Sequence, residues 1–204
     1  MSIFNELLDV ADTLLGPNGC PWDREQSFAT LRPYLLEETH ELLEALDLGD
    51  KERIREELGD CLYALVFIAK LAEMQKLFTM SDAIRTVVEK LIRRHPHVFG
   101  ELKVDSAEDV VHNWEEIKKK EGKKNPISGI PPSLPSLARA QKVIAKIDRA
   151  EKKDVAAKTI SEQEIGRRLW EVVIDANAAS VDAESALRAY CLAREKAWVE
   201  SLPR

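Results

Sequence analysis

The segment LLEETHELLEALDLGDKERIREELGD, residues 35–60, decides how this chain folds. On both sides of Gly49 and Asp50, leucine, isoleucine and alanine recur at intervals of three to four residues, which is typical of amphipathic helices. Gly49 ends a helix predicted over residues 27–48, and Asp50 can cap a second helix predicted to run to about Leu77. Because the break between them is so short, the sequence predicts an antiparallel helical hairpin.

The acidic side chains of this hairpin form a repeated pattern. Glu38 and Glu41 are spaced i, i+3, Glu37 lies four residues before Glu41, and Glu57 with Asp60 repeats the i, i+3 pair on the second helix. Like charges at these spacings repel each other by a few tenths of a kcal/mol, about 0.2–0.5 per pair. Facing carboxylates therefore favour a bound cation, and oxygen-only ligands suit Mg²⁺, with Mn²⁺ as the second choice. The alternative is a solvated acidic surface.

The rest of the chain is also predicted to be helical, since apolar residues recur with helical spacing and no useful run alternates with the period of a strand. Ser81 and Ser106 are predicted N-caps, and Pro96 stops the helix before it. The fold class is therefore all-α, with further helices expected at residues 3–15, 81–95, 106–120, 136–149, 162–180 and 182–200.

Composition limits the partners that this chain can have. It has 204 residues, 45% of them apolar, and a net charge of −6, which suits a globular protein and gives no basic excess for binding nucleic acid or an anionic membrane. No apolar run approaches the ~18 residues of a membrane span, and the acidic N-terminus does not resemble a signal peptide. Three cysteines without a CxxC pair favour reduced thiols and a cytoplasmic location.

Four sequence segments together resemble the MazG-type nucleoside triphosphate pyrophosphohydrolases. They are CPWDREQSFATLRPYLLEETHELLEAL, ELGDCLYALVFIAKLAE, RRHPHVFG and NWEEIKKKE, which begin at residues 20, 57, 93 and 113. The resemblance implies an all-α fold with a four-helix-bundle core, usually a homodimer. It also implies Mg²⁺-dependent hydrolysis of NTPs or dNTPs to nucleoside monophosphate and pyrophosphate, a house-cleaning activity on nucleotide pools.

The resemblance also implies roles for individual residues. The metal ligands would be Glu38, Glu41, Glu57 and Asp60, and the catalytic carboxylates Glu37, Glu38 and Glu41, with Glu37 either the general base or a residue that orients the ligands. The residues that contact the nucleotide or its phosphates would be Lys90, Arg94, Trp114 and Lys118. Without the resemblance, Lys90 and Arg94 would be interpreted as surface charges and Trp114 as a packing residue.

The predicted organisation has three parts: a catalytic domain at residues 1–121, a Pro/Gly-rich linker at 122–135, and a helical segment at 136–204. The last resembles, in shortened form, the second of the two tandem catalytic bundles that the long form of the family carries. The alignment of the two copies places valine at two of the four ligand positions. Valine offers no lone pair, so this copy is expected to bind no metal and to serve packing or dimerisation. The matched pairs are Glu171 with Glu37, Val172 with Glu38, Asp175 with Glu41, Val181 with Glu57, and Glu184 with Asp60.

Several alternatives stay open at this stage. A narrower pyrophosphatase for dUTP or phosphoribosyl-ATP and a non-catalytic helical scaffold are the rival functions, and the sequence does not reveal base preference. Cys20, Pro21 and Trp22 are interpreted as a hydrophobic plug between the first two helices, with a base-pocket border at Trp22 and Asp23 as the second interpretation.

Overall fold

A computed structural model describes residues 2–122, 125, 127–151, 153 and 159–202. Within this part of the chain there are ten helices and no strand, which confirms the all-α prediction. The chain divides into two compact units between Lys103 and Val104, earlier than the predicted domain boundary at residue 121. The backbone of the seventh helix is described, but the following side chains of that helix are not: Ala107, Glu108, His112, Glu115, Lys118 and Lys119.

The first unit is organised around one central helix, α4, which packs against α1, α3 and α5. Its four longer helices agree with the four-helix core that the resemblance implies. The six helices of this unit are α1 (Ile3–Leu15), α2 (Pro21–Arg24), α3 (Phe28–Leu48), α4 (Lys51–Met74), α5 (Met80–Arg94) and α6 (Pro96–Phe99).

The hairpin of α3 and α4 forms as the sequence predicts. Gly49 adopts the left-handed conformation, with φ of 66°, which a glycine reaches without a steric penalty. The Asp50 side chain then accepts hydrogen bonds from the backbone N–H groups of Glu52 and Arg53, at 3.1 and 3.3 Å, and so starts α4. Only these two residues separate the helices, so the antiparallel register of α3 and α4 is tightly constrained.

The start of α5 corrects one prediction. Ser81 is not the N-cap, because the helix begins at Met80 and Thr79 caps it. The Thr79 hydroxyl accepts from the Asp82 backbone N–H, and the Asp82 carboxylate accepts from the Thr79 backbone N–H, a reciprocal capping box. These hydrogen bonds from Thr79 hold the pKa of Asp82 below its ordinary value.

The core of the first unit lies at one end of the hairpin. A cluster of buried side chains joins α1, α3 and α4, with Phe28, Tyr63 and Ile68 packed against it. The cluster consists of Leu15, Leu31, Phe67 and Leu71. Next to it, the buried Lys70 ammonium donates a hydrogen bond to the Asp12 carboxylate at 2.7 Å, which ties α4 to α1.

The second unit is organised around its last helix, which packs against two others. Its helices are α7 (Ala107–Lys120), α8 (Ser136–Ala150), α9 (Glu162–Ala178) and α10 (Ala183–Glu200). No residue of α9 is buried, and Trp170 is 68% exposed. Burial in this unit therefore concentrates between α8 and α10.

The described part of the predicted linker packs against this helical pair. Ile127 and Ile130 are buried, and the carbonyl oxygens of Ile130 and Pro131 accept hydrogen bonds from Arg139 at 3.2 and 2.9 Å. Two buried isoleucines and a buried guanidinium thus attach this segment to α8. In these residues the segment packs as part of the second unit.

Arg139 is the central polar residue of the second unit. It is 6% exposed, and its guanidinium donates to both carboxylate oxygens of Glu195 on α10, at 2.9 and 2.7 Å. Such bidentate pairs are strong, and removal of one partner leaves a buried charge uncompensated. Arg139 therefore links the segment before α8, α8 itself and α10.

Glu195→Ala is expected to destabilise the second unit by about 3 kcal/mol, because it strands the buried Arg139 charge. Chemical denaturation followed by circular dichroism measures the loss. Arg188→Ala is the matched control, since Arg188 forms an exposed i, i+4 ion pair with Glu184, and it should cost less than about 1 kcal/mol. Equal losses in the two variants would contradict the role given to Arg139.

Candidate metal centre

The predicted carboxylates converge in the first unit. Glu38, Glu41 and Glu57 each place one carboxylate oxygen within 4.8 Å of those of the other two. Among the described residues, no other set of three or more His, Cys, Asp or Glu side chains converges in this way. The i, i+3 spacing of Glu38 and Glu41 on α3, and the register of the hairpin, bring them opposite Glu57 on α4.

Asp60 lies beside this trio, but its carboxylate does not belong to the group whose oxygens all lie within 4.8 Å of one another. Its negative charge acts on Glu38 more strongly than that of any other neighbouring carboxylate. The structure therefore brings three of the four predicted ligands together and places the fourth next to them. Glu37 is also a neighbour, because its charge adds to the effect on Glu38.

The electrostatics of the trio are unfavourable without a cation. Burial, followed by the charges of Asp60, Glu41, Glu57 and Glu37, raises the pKa of Glu38. Burial and then the charge of Glu41 raise the pKa of Glu57, which Arg53 lowers in part. Within the described residues, no Lys or Arg forms an ion pair with the trio, and Arg53 instead pairs with Glu44 at 2.7 Å.

These observations fit a divalent cation. Converging carboxylate oxygens without a neutralising side chain are hard ligands of the kind that Mg²⁺ and Mn²⁺ prefer. Burial, and after it the neighbouring negative charges, raise the pKa values of Glu38 and Glu57, and a bound cation would relieve that repulsion as a proton does. The donor set therefore suits a hard cation, while the choice between Mg²⁺ and Mn²⁺ stays a prediction.

Two neighbours of the trio carry no signal in the sequence. The Thr39 hydroxyl donates to the backbone carbonyl of Leu35 at 2.6 Å. Burial is the main cause that raises the pKa of the Cys61 thiol, while a hydrogen bond with Thr39 lowers it and the charge of Glu38 raises it. Thr39 and Cys61 therefore face each other across the hairpin beside the carboxylates.

The predicted phosphate-binding residues Lys90 and Arg94 lie on one face of α5, at i, i+4 spacing, and both are half-buried. α5 packs against α4, the helix that carries Glu57 and Asp60. After α5 the chain turns at His95, whose Nδ1 lies 2.6 Å from the Leu91 carbonyl oxygen.

The other predicted nucleotide contacts belong to α7 in the second unit. Trp114 is half-buried there. Lys118 belongs to the same helix, and its side chain lies outside the described residues. The assignment of both residues to substrate stays a prediction from the resemblance.

The second copy is built differently from the first. The Glu184 carboxylate, aligned with Asp60, accepts hydrogen bonds from the backbone N–H and the hydroxyl of Ser136, at 2.9 and 2.8 Å. Glu171, aligned with Glu37, forms an ion pair with Arg167. Of these two acidic residues of the second copy, Glu184 therefore caps a helix and Glu171 forms a surface ion pair.

Comparison with known proteins identifies the family to which the first unit is similar. The family model described as the MazG nucleotide pyrophosphohydrolase domain matches residues 26–99, which include all four predicted ligands. A crystal structure of a mazG-related protein from Thermotoga maritima has 35% sequence identity and a TM-score of 0.51, and the match covers 56% of this chain and 98% of that one.

Curated relatives differ in how much of their length this chain spans. The nucleoside triphosphate pyrophosphohydrolase/pyrophosphatase MazG of Thermotoga maritima is 40% identical, over 91% of this chain and 80% of the relative. The nucleoside triphosphate pyrophosphohydrolase of Escherichia coli is 43% identical, over 70% of this chain and 56% of the relative. An uncharacterised Bacillus subtilis protein is 42% identical, and the match spans 29% of that protein.

Glu38→Gln is expected to stabilise the metal-free protein, because it removes a charge that the folded state disfavours. A carboxyl group whose pKa is raised on folding stabilises at low pH, and this contribution is lost as the pH rises through the folded pKa. In the presence of a chelator at pH 8, the variant's Tm should therefore be about 1–2 °C above wild type. The gain should vanish near pH 3, where Glu38 is protonated in both the folded and the unfolded state.

Millimolar Mg²⁺ should raise the Tm of wild type and have little effect on Glu38→Gln, since binding to the native state is stabilising. Thermal melts with and without the cation measure both effects. Glu89→Gln, an exposed substitution on α5, is the control and should respond to Mg²⁺ like wild type. A Glu38→Gln protein that melts below wild type in chelator at pH 8 would contradict the electrostatic account.

Proposed function

Because this chain belongs to the MazG family of nucleotide pyrophosphohydrolases, we propose that it hydrolyses nucleoside triphosphates between the α- and β-phosphates. The substrates are NTPs or dNTPs, and the products are the nucleoside monophosphate and pyrophosphate. The observation that carries the proposal is the convergence of Glu38, Glu41 and Glu57 within 4.8 Å, with no Lys or Arg of the described residues in an ion pair with them. The biological role is the removal of unwanted nucleotides from the pool.

The proposed cofactor is Mg²⁺, with Mn²⁺ as a substitute, held by the trio and by Asp60. When bound, the cation would neutralise phosphate oxygens, polarise the α-phosphorus and lower the pKa of a water molecule. The carboxylates of α3 and α4 provide a negatively charged site that a triphosphate alone would avoid. They therefore make substrate binding dependent on the cation.

In the proposed reaction, the oxygen of a water molecule bonds to the α-phosphorus, and the bridging oxygen leaves with the β-phosphate as pyrophosphate. Glu37 adjoins the trio and has one of two roles. It either accepts the proton of the attacking water, or it orients the ligand carboxylates. An acceptor is needed because the oxygen of the water becomes a stronger nucleophile as its proton is removed.

Lys90 and Arg94 are proposed to bind the departing pyrophosphate. Their i, i+4 spacing gives two cations on one face of α5, and phosphate oxygens favour such paired donors. Trp114 and Lys118 are proposed as further contacts to the nucleotide, on the basis of their positions in the family motif.

The proposed assembly is a homodimer in the cytoplasm. α5 has no buried residue, and five of its apolar side chains are 39–47% exposed, which leaves a continuous stripe for a second copy to cover. They are Ile84, Val87, Val88, Leu91 and Ile92. All three cysteines are free, as suits a reducing compartment. No helix in the described ranges is both long and apolar enough to cross a bilayer.

With ATP and Mg²⁺, the expected products are AMP and pyrophosphate, and chelation should abolish their formation. Chromatography of the nucleotides, with a coupled pyrophosphate assay over a panel of NTPs and dNTPs, tests this. Turnover of one substrate alone, such as dUTP or phosphoribosyl-ATP, would favour a narrower pyrophosphatase, and no turnover would favour a scaffold. ADP and orthophosphate as products would remove the chain from this reaction class.

Glu41→Gln is the matched loss-of-function control for that assay. It keeps the size of the side chain and removes one ligand charge, so kcat should fall by about a hundredfold or more while helical circular dichroism is unchanged. Near-normal activity of this variant at saturating Mg²⁺ would contradict the assignment of the trio as the catalytic site.

Asp175→Asn is expected to leave kcat within about threefold of wild type, a barrier change of about 0.7 kcal/mol. The reason is that the second copy has valine at two ligand positions and is proposed to serve assembly. Glu184→Gln should likewise preserve kcat but lower thermal stability, since the Glu184 carboxylate caps α8 through Ser136. Steady-state kinetics beside thermal melts separate the two effects, and a hundredfold loss of kcat in either variant would make the second copy catalytic.

A further inference from the structure

An aromatic corner lies beside the carboxylate trio in the first unit. The rings of Trp22 on α2 and Tyr34 on α3 meet edge to face, with centroids 5.4 Å apart and an interplanar angle of 85°. Both remain accessible, at 51% and 40% exposure. An aromatic pair of this kind presents an open ring face to solvent, on which a flat ligand can stack.

The position of this corner follows from the register of the hairpin. Tyr34 lies one helical turn before Glu38 on α3, and Tyr63 lies about one turn after Asp60 on α4. Since the two helices are antiparallel, both tyrosines lie at the same end of the trio. One turn corresponds to ~5.4 Å, a separation comparable with the ribose that joins an α-phosphate to its base.

α2 is held at this end of the trio by its own hydrogen bonds. The Gln26 side-chain amide donates to the Trp22 carbonyl at 2.8 Å, and the Arg24 guanidinium donates to the Pro17 carbonyl at 3.0 Å. The Cys20 backbone N–H donates to the Leu14 carbonyl at 2.9 Å, which anchors the start of α2 on α1. Trp22 is therefore presented by a positioned segment.

Asp23 is the second observation at this end of the trio. It is 8% exposed, yet within the described residues no hydrogen bond or ion pair reaches its carboxylate. Tyr63 is its neighbour, because burial first and then the negative charge of Asp23 raise the pKa of the Tyr63 phenol. The Asp23 carboxylate therefore keeps acceptor capacity that a ligand with N–H groups can use.

We propose that Trp22, Tyr34 and Asp23 form a nucleobase subsite that favours guanine, with the base stacked on the aromatic corner and Asp23 accepting hydrogen bonds from its edge. The inference rests on the proposed pyrophosphohydrolase function, which places the triphosphate at the carboxylate trio. A carboxylate is an acceptor only. Guanine presents two adjacent N–H donors on its Watson–Crick edge, whereas uracil and thymine present one between two carbonyl oxygens.

The stacking contribution is tested by Trp22→Ala in steady-state kinetics with GTP and Mg²⁺. KM should rise about tenfold or more, because base stacking is lost, while kcat stays within about threefold. Trp22→Phe should retain most of the affinity. Trp170→Ala, which removes an exposed tryptophan from α9, is the matched control and should leave both parameters unchanged. An unchanged KM in Trp22→Ala would overturn the subsite.

The edge contact is tested by Asp23→Asn, which keeps the side-chain size and whose folding is checked by its Tm. Wild type should prefer GTP over UTP in kcat/KM, and the variant should lose at least about fivefold of that preference. An equal kcat/KM for GTP and UTP in wild type, or an unchanged preference in the variant, would overturn the role of Asp23.

Binding of GMP and UMP, measured by calorimetry, separates this inference from the proposed function. Neither ligand requires turnover, so a wild-type protein that releases no pyrophosphate would refute the function alone. Binding of GMP that is tighter than that of UMP, and weakened by Trp22→Ala and Asp23→Asn, would support the subsite. Absence of GMP binding to wild type, or binding that neither substitution weakens, would overturn it.

Discussion

The register of the α3–α4 hairpin, which holds Glu38, Glu41 and Glu57 together against their mutual repulsion, is the constraint on which the candidate site depends. The hairpin of α3 and α4 forces these carboxylates within 4.8 Å of one another, and their environment raises the pKa values of Glu38 and Glu57. The buried packing that stabilises the unit lies farther from the turn at Gly49 and Asp50 than the trio does. It is formed by Leu15, Leu31, Phe67 and Leu71. The buried packing and the acidic trio thus occupy different stretches of the same two helices, so the trio need not contribute to folding.

The hairpin and the convergence of Glu38, Glu41 and Glu57 could be predicted from sequence because each depends on local rules. Gly49 and Asp50 fix the break between the helices, and the i, i+3 spacing fixes which carboxylates share a face. The prediction of Ser81 as the N-cap of α5 was wrong. Thr79 and Ser81 both offer a hydroxyl group, and Thr79 caps the helix because it exchanges hydrogen bonds with Asp82. The spacing of Thr79 and Asp82 is itself a local capping-box signal, which the prediction of Ser81 left out.

Contacts between residues that are far apart in the chain could not be predicted from the sequence. Arg139 and Glu195 are 56 positions apart, and nothing in either neighbourhood indicates a bidentate pair or the attachment of the segment at Ile130 and Pro131. That segment was predicted as a linker from its proline and glycine content, which reports local conformation and not burial. Similarly, the lack of a partner for Asp23 within the described residues appears only once the fold is known.

The two-residue turn at Gly49 and Asp50 has a consequence for how the length of this region can vary. Each residue of an α-helix advances the chain by ~1.5 Å and turns it by ~100°. One additional residue anywhere between Asp50 and Glu57 would therefore carry the Glu57 carboxylate to a different side of α4, with every residue type unchanged. Helix geometry therefore restricts insertions and deletions here as strictly as charge restricts substitutions. The number of residues between the turn and Glu57 matters as much as their identity.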